Sequence, residues 1–186
     1  MSQDLQPTLR DATLADAQQI LDLRRDPRLR GMQYEPLGNE TARGLFSLLH
    51  PGPAIPNDGW KIATILVNDR FAGHITQAYS TRWNGLTTLL LGWDLIPELW
   101  GRGIMLRALQ PLIDQRCDAN PDLQLVACCF ASNRRCLRVI EKLGFHHSRL
   151  WLSERISHFT RTWGTQRVVK HCLAAEAWRE RRRATT

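Results

Sequence analysis

Hydrophobic and polar positions have a helical periodicity in the first part of the chain. Thr13 and Asp16 have the spacing of a capping box, and apolar residues then recur at three- and four-residue steps. This predicts a helix that ends before Pro27. A second short helix is expected over Ala42–Leu49, and the proline- and glycine-rich stretch His50–Gly59 is expected to be a loop.

From Trp60 onward the pattern of apolar residues is typical of β-strands, and Asn-Asp and Asn-Gly pairs between the apolar runs are expected to form turns. Three antiparallel strands are followed by helices and strands in alternation, which predicts a mixed α+β sheet with helices on its faces. The predicted strands are Pro7–Arg10, Trp60–Val67, Phe71–Tyr79, Leu86–Ile96, Leu123–Phe130, Phe145–Leu152 and Arg167–Leu173, and the later helices are Arg102–Cys117 and Arg134–Leu143.

The composition narrows the class of protein. With 186 residues, 43% of them hydrophobic and 23% charged, the chain is expected to form one globular domain, residues 1–186. No apolar run approaches the roughly 18 residues that span a bilayer, and the start of the chain is polar, so we expect a cytoplasmic protein. The five cysteines include no CxxC pair, which favours core thiols over a disulfide framework or a metal site.

The formal charge of +7 suits an anionic partner such as nucleic acid, the ribosome or a phosphorylated cofactor. Part of that charge lies in a basic C-terminal tail from about residue 179, which is expected to be a solvated end rather than a site. Charge alone does not choose among these partners. The arginines of the tail are Arg179, Arg181, Arg182 and Arg183.

Two junctions between a strand and a helix carry the candidate chemistry. Gly101 and Gly103 stand between a predicted strand and helix, where several unpaired amides can converge on an anion. Glycines at such a turn are also explained by geometry alone. The next strand ends at a second junction, Ser132-Asn133, at the same edge of the sheet, where ligands of open sheets bind.

Taken together, these junctions resemble those of the GNAT superfamily of acyl-CoA-dependent N-acyltransferases, in its ribosomal-protein acetyltransferase (RimJ/RimL) branch. The resemblance covers nearly the whole chain and implies a GNAT-like acyl-CoA N-acyltransferase fold, its sheet splayed between the fourth and fifth strands. It rests on Leu91-Gly92-Trp93, on Pro97-Glu98-Leu99-Trp100-Gly101-Arg102-Gly103, on Asn133 and on Glu141-Lys142-Leu143-Gly144-Phe145.

The resemblance also implies a site. The turn Trp100–Met105 would hold the coenzyme A pyrophosphate on its amides, with Asn133 beside the pantetheine arm. Main-chain groups of Asp94, Leu95 and Ile96 would pair with that arm as an added strand would. The implied cofactor-binding residues are Leu95, Ile96, Trp100, Gly101, Arg102, Gly103, Ile104, Met105, Asn133 and Arg138; Arg134 and Arg135 would join Arg138 near the phosphates, unless this is only a solvated helix face.

The sequence departs from the family pattern in three places. Met105 stands where glycine or alanine is usual, and we expect its side chain to point into the core. Cys136 occupies a position of the general acid, either as a proton donor or as a core cysteine that lines the cleft. Leu90 replaces the usual catalytic glutamate, which leaves Asp94, on the same side of the strand, as the nearest substitute base.

The implied activity is direct acetyl transfer from acetyl-CoA to a primary amine, with no metal. A missing glutamate favours a weakly basic acceptor, such as a protein N-terminal α-amine or a small-molecule amine. Tyr34, Glu35 and His158 fall in segments that edge the acceptor cleft, although they are equally ordinary as surface residues. The expected partners are acetyl-CoA and the amine, not a membrane or nucleic acid, and a homodimer stays open. The alternatives are a non-catalytic acyl-CoA-binding module and a basic protein that binds ribosomes or nucleic acid.

Overall fold

A mixed β-sheet forms the centre of the protein in a computed structural model, which describes residues 5–29, 32, 60–83, 86–148 and 168–185. Within these residues the sheet has seven strands in the order β1-β2-β3-β4-β5-β7-β6, and every neighbouring pair is antiparallel except β4–β5. The expected mixed, mainly antiparallel sheet is thereby confirmed. The strands are β1 (Pro7–Asp11), β2 (Trp60–Val67), β3 (Arg70–Trp83), β4 (Leu86–Leu95), β5 (Gln124–Phe130), β6 (His146–Ser148) and β7 (Val168–Ala174).

Four helices of the described residues accompany the sheet: α1 (Ala17–Arg25), α2 (Ile104–Ala119), α3 (Arg134–Leu143) and α4 (Ala175–Thr185). Thr13 and Asp16 form the predicted capping box, in which the Thr13 N–H donates to the Asp16 carboxylate at 2.7 Å. The capped turn leads into α1. The predicted helix Ala42–Leu49, the loop His50–Gly59 and the turn at Asn84-Gly85 lie outside the described residues.

Helices cover both faces of the sheet. Alternate residues of a strand point to opposite faces, so neighbouring residues of one strand contact helices on different sides. Ile62 of β2 packs in one apolar cluster with Ile20 and Leu21 of α1. Its neighbour Ala63 belongs to the larger cluster, which contains α2 and α3 residues. The helices on both faces agree with the predicted fold class.

The basic C-terminal segment forms a helix that the sequence pattern did not predict, α4, which packs against α2. Trp178 is only 4% exposed, and its Nε1 donates to Asp114 Oδ1 at 2.7 Å. Arg182 lies 3.2 Å from the same carboxylate. A buried tryptophan and acidic partners on α2 give this segment a surface to pack on, while residues 180–184 remain exposed. That the tail is a solvated end rather than a site stays a prediction.

Two further arginines of α4 hydrogen-bond main-chain carbonyls near the ends of other helices. Arg179 donates to the carbonyl of Cys117 in α2. Arg181 donates to the carbonyl of Lys142 in α3 at 3.1 Å. Part of the positive charge of the chain is therefore engaged with the protein itself. None of the helices in the described residues is long and apolar enough to cross a membrane.

Candidate active site

The cleft begins where β4 and β5 separate. Their parallel pairing runs from Thr88↔Gln124 to Leu91↔Ala127 and ends there, although β4 continues to Leu95 and β5 to Phe130. Each strand stays paired on its far side, β4 with β3 and β5 with β7. The predicted splay is present, and main-chain groups on the inner side of each strand face the cleft.

The end of β4 presents different main-chain groups from those predicted. Ile96 donates its N–H to the Ala72 carbonyl at 2.8 Å, and its own carbonyl accepts from the Leu99 N–H. The prediction that Ile96 is free to pair with a ligand was therefore wrong. Because bonding to a neighbour alternates along an antiparallel strand, Asp94 also bonds toward β3, whereas Trp93 and Leu95 direct their main-chain groups away from β3. The Leu95 carbonyl accepts from the Trp100 indole, so the Leu95 N–H and the Trp93 groups are the ones that face the cleft.

The turn before α2 has the open amides that the sequence suggested. Gly101 and Gly103 have φ values of 76° and 72°, in the left-handed region that glycine adopts without strain. The first amide of α2 with a main-chain acceptor is that of Arg107, which bonds to the Gly103 carbonyl at 3.2 Å. The amides of residues 101–106 have no acceptor within the described chain. This helix N-terminus is suited to an anion.

Met105 does not obstruct this turn. Met105 is 6% exposed and belongs to the main core cluster, and its neighbour Ile104 belongs to the same cluster. The prediction that Met105 points into the core is confirmed. Its amide is left on the side of the open turn.

Arg107 supports the turn from below, a role that no sequence motif indicated. Its Nη2 donates to the Leu5 carbonyl at 3.0 Å and to the Arg102 carbonyl at 3.1 Å. Its Nη1 would lie only 3.1 Å from a Cβ at Gly103. The guanidinium thus ties the turn to the segment before β1. The one feature of the sequence that could have indicated this role is the position of Arg107, one helical turn after Gly103.

Trp100 joins the two strand-to-helix junctions. Its indole Nε1 donates to the Leu95 carbonyl at 2.7 Å, and the Arg135 guanidinium lies over its ring, 4.6 Å from the centroid. Arg135 is thereby placed beside the open turn, whereas Arg134 and Arg138 line a shallow depression on the outer face of α3. A role for Arg138 in phosphate binding stays a prediction, as it does for the exposed Arg102.

Asn133 caps α3. Its Oδ1 accepts from the Cys136 N–H at 3.1 Å, and its Nδ2 donates to the Met32 carbonyl at 3.3 Å. These bonds fix the start of α3 and hold residue 32 against it. A bond from Asn133 to the pantetheine arm stays a prediction.

Asp94 lies near the end of β4, the strand that borders the cleft, and has two titratable neighbours. Its Oδ2 is 3.7 Å from His74 Nε2 and 4.0 Å from Arg24 Nε. Burial raises the pKa of Asp94 from 3.8 to about 6, against the opposing effect of the Arg24 charge. Burial, aided by Arg24, lowers the pKa of His74 to about 3, so His74 is neutral near pH 7. A carboxylate with a pKa of about 6 is suited to general-base chemistry.

Cys136 lies in the first turn of α3, partly buried. The pKa of its thiol is raised well above the usual value by a hydrogen bond with Cys129, by burial and by the negative charge of Asp94, among other neighbours. The two candidate catalytic groups therefore lie close enough to influence each other. A thiol held in its protonated form is a poor nucleophile and can donate a hydrogen bond to a thiolate. Cys136 also packs against the main core cluster, so it contributes to packing whether or not it takes part in catalysis.

Sequence reasoning missed the neighbours of Asp94 and could not place the acceptor side. His74 lies directly opposite Asp94 in the β3–β4 register, and Arg24 reaches the same carboxylate from α1. The candidate acceptor residues Tyr34, Glu35 and His158 lie outside the described residues.

Comparison with known proteins agrees with this geometry. Residues 7–146 match the acetyltransferase (GNAT) domain family, and no curated protein matches. Similar solved structures include RimL, a ribosomal L7/L12 alpha-N-protein acetyltransferase in complex with coenzyme A (TM-score 0.69, 15% identity, 92% of this chain and 96% of that one). They also include the Vibrio cholerae spermidine N-acetyltransferase with CoA and spermine (0.70, 14%, 93% and 98%). A third is the Salmonella typhimurium acetyl transferase that modifies the N-terminal serine of the ribosomal protein L7/L12 (0.68, 18%, 91% and 95%).

Proposed function

Since this chain belongs to the GNAT family of acetyltransferases, we propose that it transfers an acetyl group from acetyl-CoA directly to a primary amine. The observation that carries this proposal is the cleft between β4 and β5, which has an open amide turn at one end and is bordered by the elements that carry Asp94 and Cys136. These are the parts that an anionic carrier and a proton-transfer reaction require. Two of the similar structures are complexes with coenzyme A.

The coenzyme is proposed to follow the cleft. Its pyrophosphate binds the amides of residues 101–106 at the N-terminus of α2, with Arg135 nearby. Its pantetheine arm runs along the inner edge of β4, where Trp93 presents its main-chain groups and Leu95 its N–H. The thioester then lies near Asp94.

In the proposed reaction the neutral amine attacks the thioester carbonyl, so a C–N bond forms and the C–S bond breaks. Asp94 accepts the proton that the amine loses. The Cys136 thiol donates a hydrogen bond to the departing thiolate of coenzyme A, which leaves as the thiol when the proton taken up by Asp94 is passed on to it. Holding the two substrates in line supplies much of the rate. No covalent intermediate with the enzyme forms.

The acceptor is proposed to be a weakly basic amine. A base with a pKa of about 6 is better matched to an α-amine, with a pKa of about 8, than to a lysine side chain at about 10.4. This supports a protein N-terminus or a small-molecule amine as the acceptor. The cytoplasmic location and a homodimer stay predictions.

The deciding experiment is thiol release from acetyl-CoA with a panel of peptides, amino acids and polyamines. We expect turnover with at least one acceptor, a strong loss in Asp94→Asn and a partial loss in Cys136→Ala that Cys136→Ser restores in part. Complete loss in a folded Cys136→Ala variant would indicate a nucleophilic cysteine instead. Stabilisation by acetyl-CoA without turnover would indicate a binding module, and no stabilisation at millimolar acetyl-CoA would exclude both coenzyme functions.

A further inference from the structure

Behind the candidate base, three elements bring titratable side chains together. Arg24 comes from α1, His74 from β3 and Asp94 from β4, and the Arg24 and His74 nitrogens lie 4.0 and 3.7 Å from the same Asp94 oxygen. The exposed fractions of these side chains are 13%, 3% and 21%. A carboxylate placed this deeply needs a compensating charge if it is to ionise.

His74 does not supply that charge. It is enclosed by the protein and stays neutral near pH 7. Its Nε2 is beyond hydrogen-bond range of Asp94, and its Nδ1 has no hydrogen-bond partner within the described residues. From α3, the third element facing Asp94, Cys136 presents a protonated thiol. Arg24 is therefore the group that brings a permanent positive charge to Asp94 among these neighbours.

We propose that Arg24 is a positioning residue, whose guanidinium keeps the Asp94 carboxylate ionised and oriented toward the cleft so that it can accept the proton of the acceptor amine. The catalytic part of this inference rests on the proposed function. Arg24 acts through Asp94 and need not touch either substrate. Its effect is electrostatic, so a lysine at position 24 substitutes for it better than an uncharged side chain of similar length.

The test compares Arg24→Met and Arg24→Lys with the unmodified protein. The Asp94 carboxyl carbon is followed by ¹³C NMR across a pH titration and is assigned by its absence in Asp94→Asn. An opposite charge 4–6 Å away lowers a carboxyl pKa by about 1–3 units, so its loss in Arg24→Met should raise the titration midpoint by at least about one unit. Arg24→Lys should keep the midpoint near that of the unmodified protein.

The same variants are then assayed for kcat/KM against pH. The acid limb of the profile should move upward with the NMR midpoint in Arg24→Met and stay nearly in place in Arg24→Lys. Arg25→Met is the matched control, because it removes a positive charge from an exposed position of the same helix. It should change neither the midpoint nor the limb.

An unchanged NMR midpoint in a folded Arg24→Met protein would overturn the inference. So would an activity loss that is equal at every pH, because that result indicates a packing role. The titration needs no turnover, so it distinguishes the two proposals. If no acceptor is acetylated but the midpoint still rises in Arg24→Met, the proposed function and the catalytic role of Arg24 are both wrong, and only the charge pairing with Asp94 is supported. If turnover occurs but the midpoint does not move in Arg24→Met, the inference about Arg24 alone is wrong.

Discussion

Replacing Asp94 with asparagine should stabilise the protein near neutral pH while it removes the candidate base. Burial raises the pKa of Asp94 from 3.8 to about 6, which corresponds to about 3 kcal/mol of unfavourable free energy once the carboxyl is ionised. Asparagine has nearly the same shape and carries no charge to bury. The gain from removing the charge should therefore reach about 3 kcal/mol, as an upper value for a side chain that is 21% exposed.

The pH dependence gives this prediction its sign. In the unfolded chain Asp94 loses its proton near pH 3.8, whereas in the folded protein it keeps the proton until about pH 6. Between these values the folded state binds more protons, so the stability contribution of Asp94 falls as the pH rises. The advantage of Asp94→Asn should be small at low pH, grow through this window and then stay constant.

Urea unfolding of both proteins at about pH 4 and about pH 8 measures the effect, as the change in the free-energy difference between them. Both proteins keep His74, so its titration cancels in that difference to first order. Any new contact of the asparagine amide adds an offset that does not depend on pH. Asp122→Asn, at an exposed position outside the cleft, is the control. An equal difference at both pH values would refute the reasoning that burial of Asp94 destabilises its charged form.

Three further predictions follow from other contacts. Gly103→Ala should weaken acetyl-CoA binding in calorimetry by about tenfold, since a left-handed alanine costs about 1–2 kcal/mol and its Cβ would meet Arg107 at 3.1 Å. Gly101→Ala should weaken binding less, because the space around its Cβ is open. Equal losses of affinity in the two variants would argue against the Arg107 contact. Trp178→Phe should lower stability to urea by about 1–2 kcal/mol through loss of the bond to Asp114, whereas no change would show that ring burial alone holds α4. His74→Gln should reduce acid destabilisation, because native His74 resists protonation between pH 6.5 and about 3 while the unfolded chain accepts the proton; stability curves that stay parallel over that range would contradict the buried, neutral histidine.

Local patterning was enough to predict most of the sheet and the core-facing helices. The alternation that marks β2 and the three- and four-residue steps of α2 are properties of neighbouring residues, and the structure has both elements close to the expected bounds. The same holds for Met105, whose burial follows from its place on the apolar face of α2. Ends of strands were less accurate, as β3 runs on to Trp83.

The errors arose where the outcome depends on distant partners. Ile96 lost its predicted role because the register with β3 decides which main-chain groups of β4 face the cleft. The helix α4 was missed because its main apolar anchor, Trp178, finds its partner 64 residues earlier in the chain. Arg24 and His74 reach Asp94 from two other elements, and no spacing along the sequence shows such a meeting.

The contacts between α4 and the two helices that border the cleft affect where the chain can be cut. Arg179 and Arg181 place cations on carbonyls near the C-terminal ends of α2 and α3, where they complement each helix dipole. The opposite ends of these helices carry the open turn and the Asn133 cap. The family match ends at residue 146, so a fragment trimmed to the match would lack β7 and α4. An expression fragment intended for enzymology should therefore extend beyond Arg181, even though the segment has the composition of a dispensable basic tail.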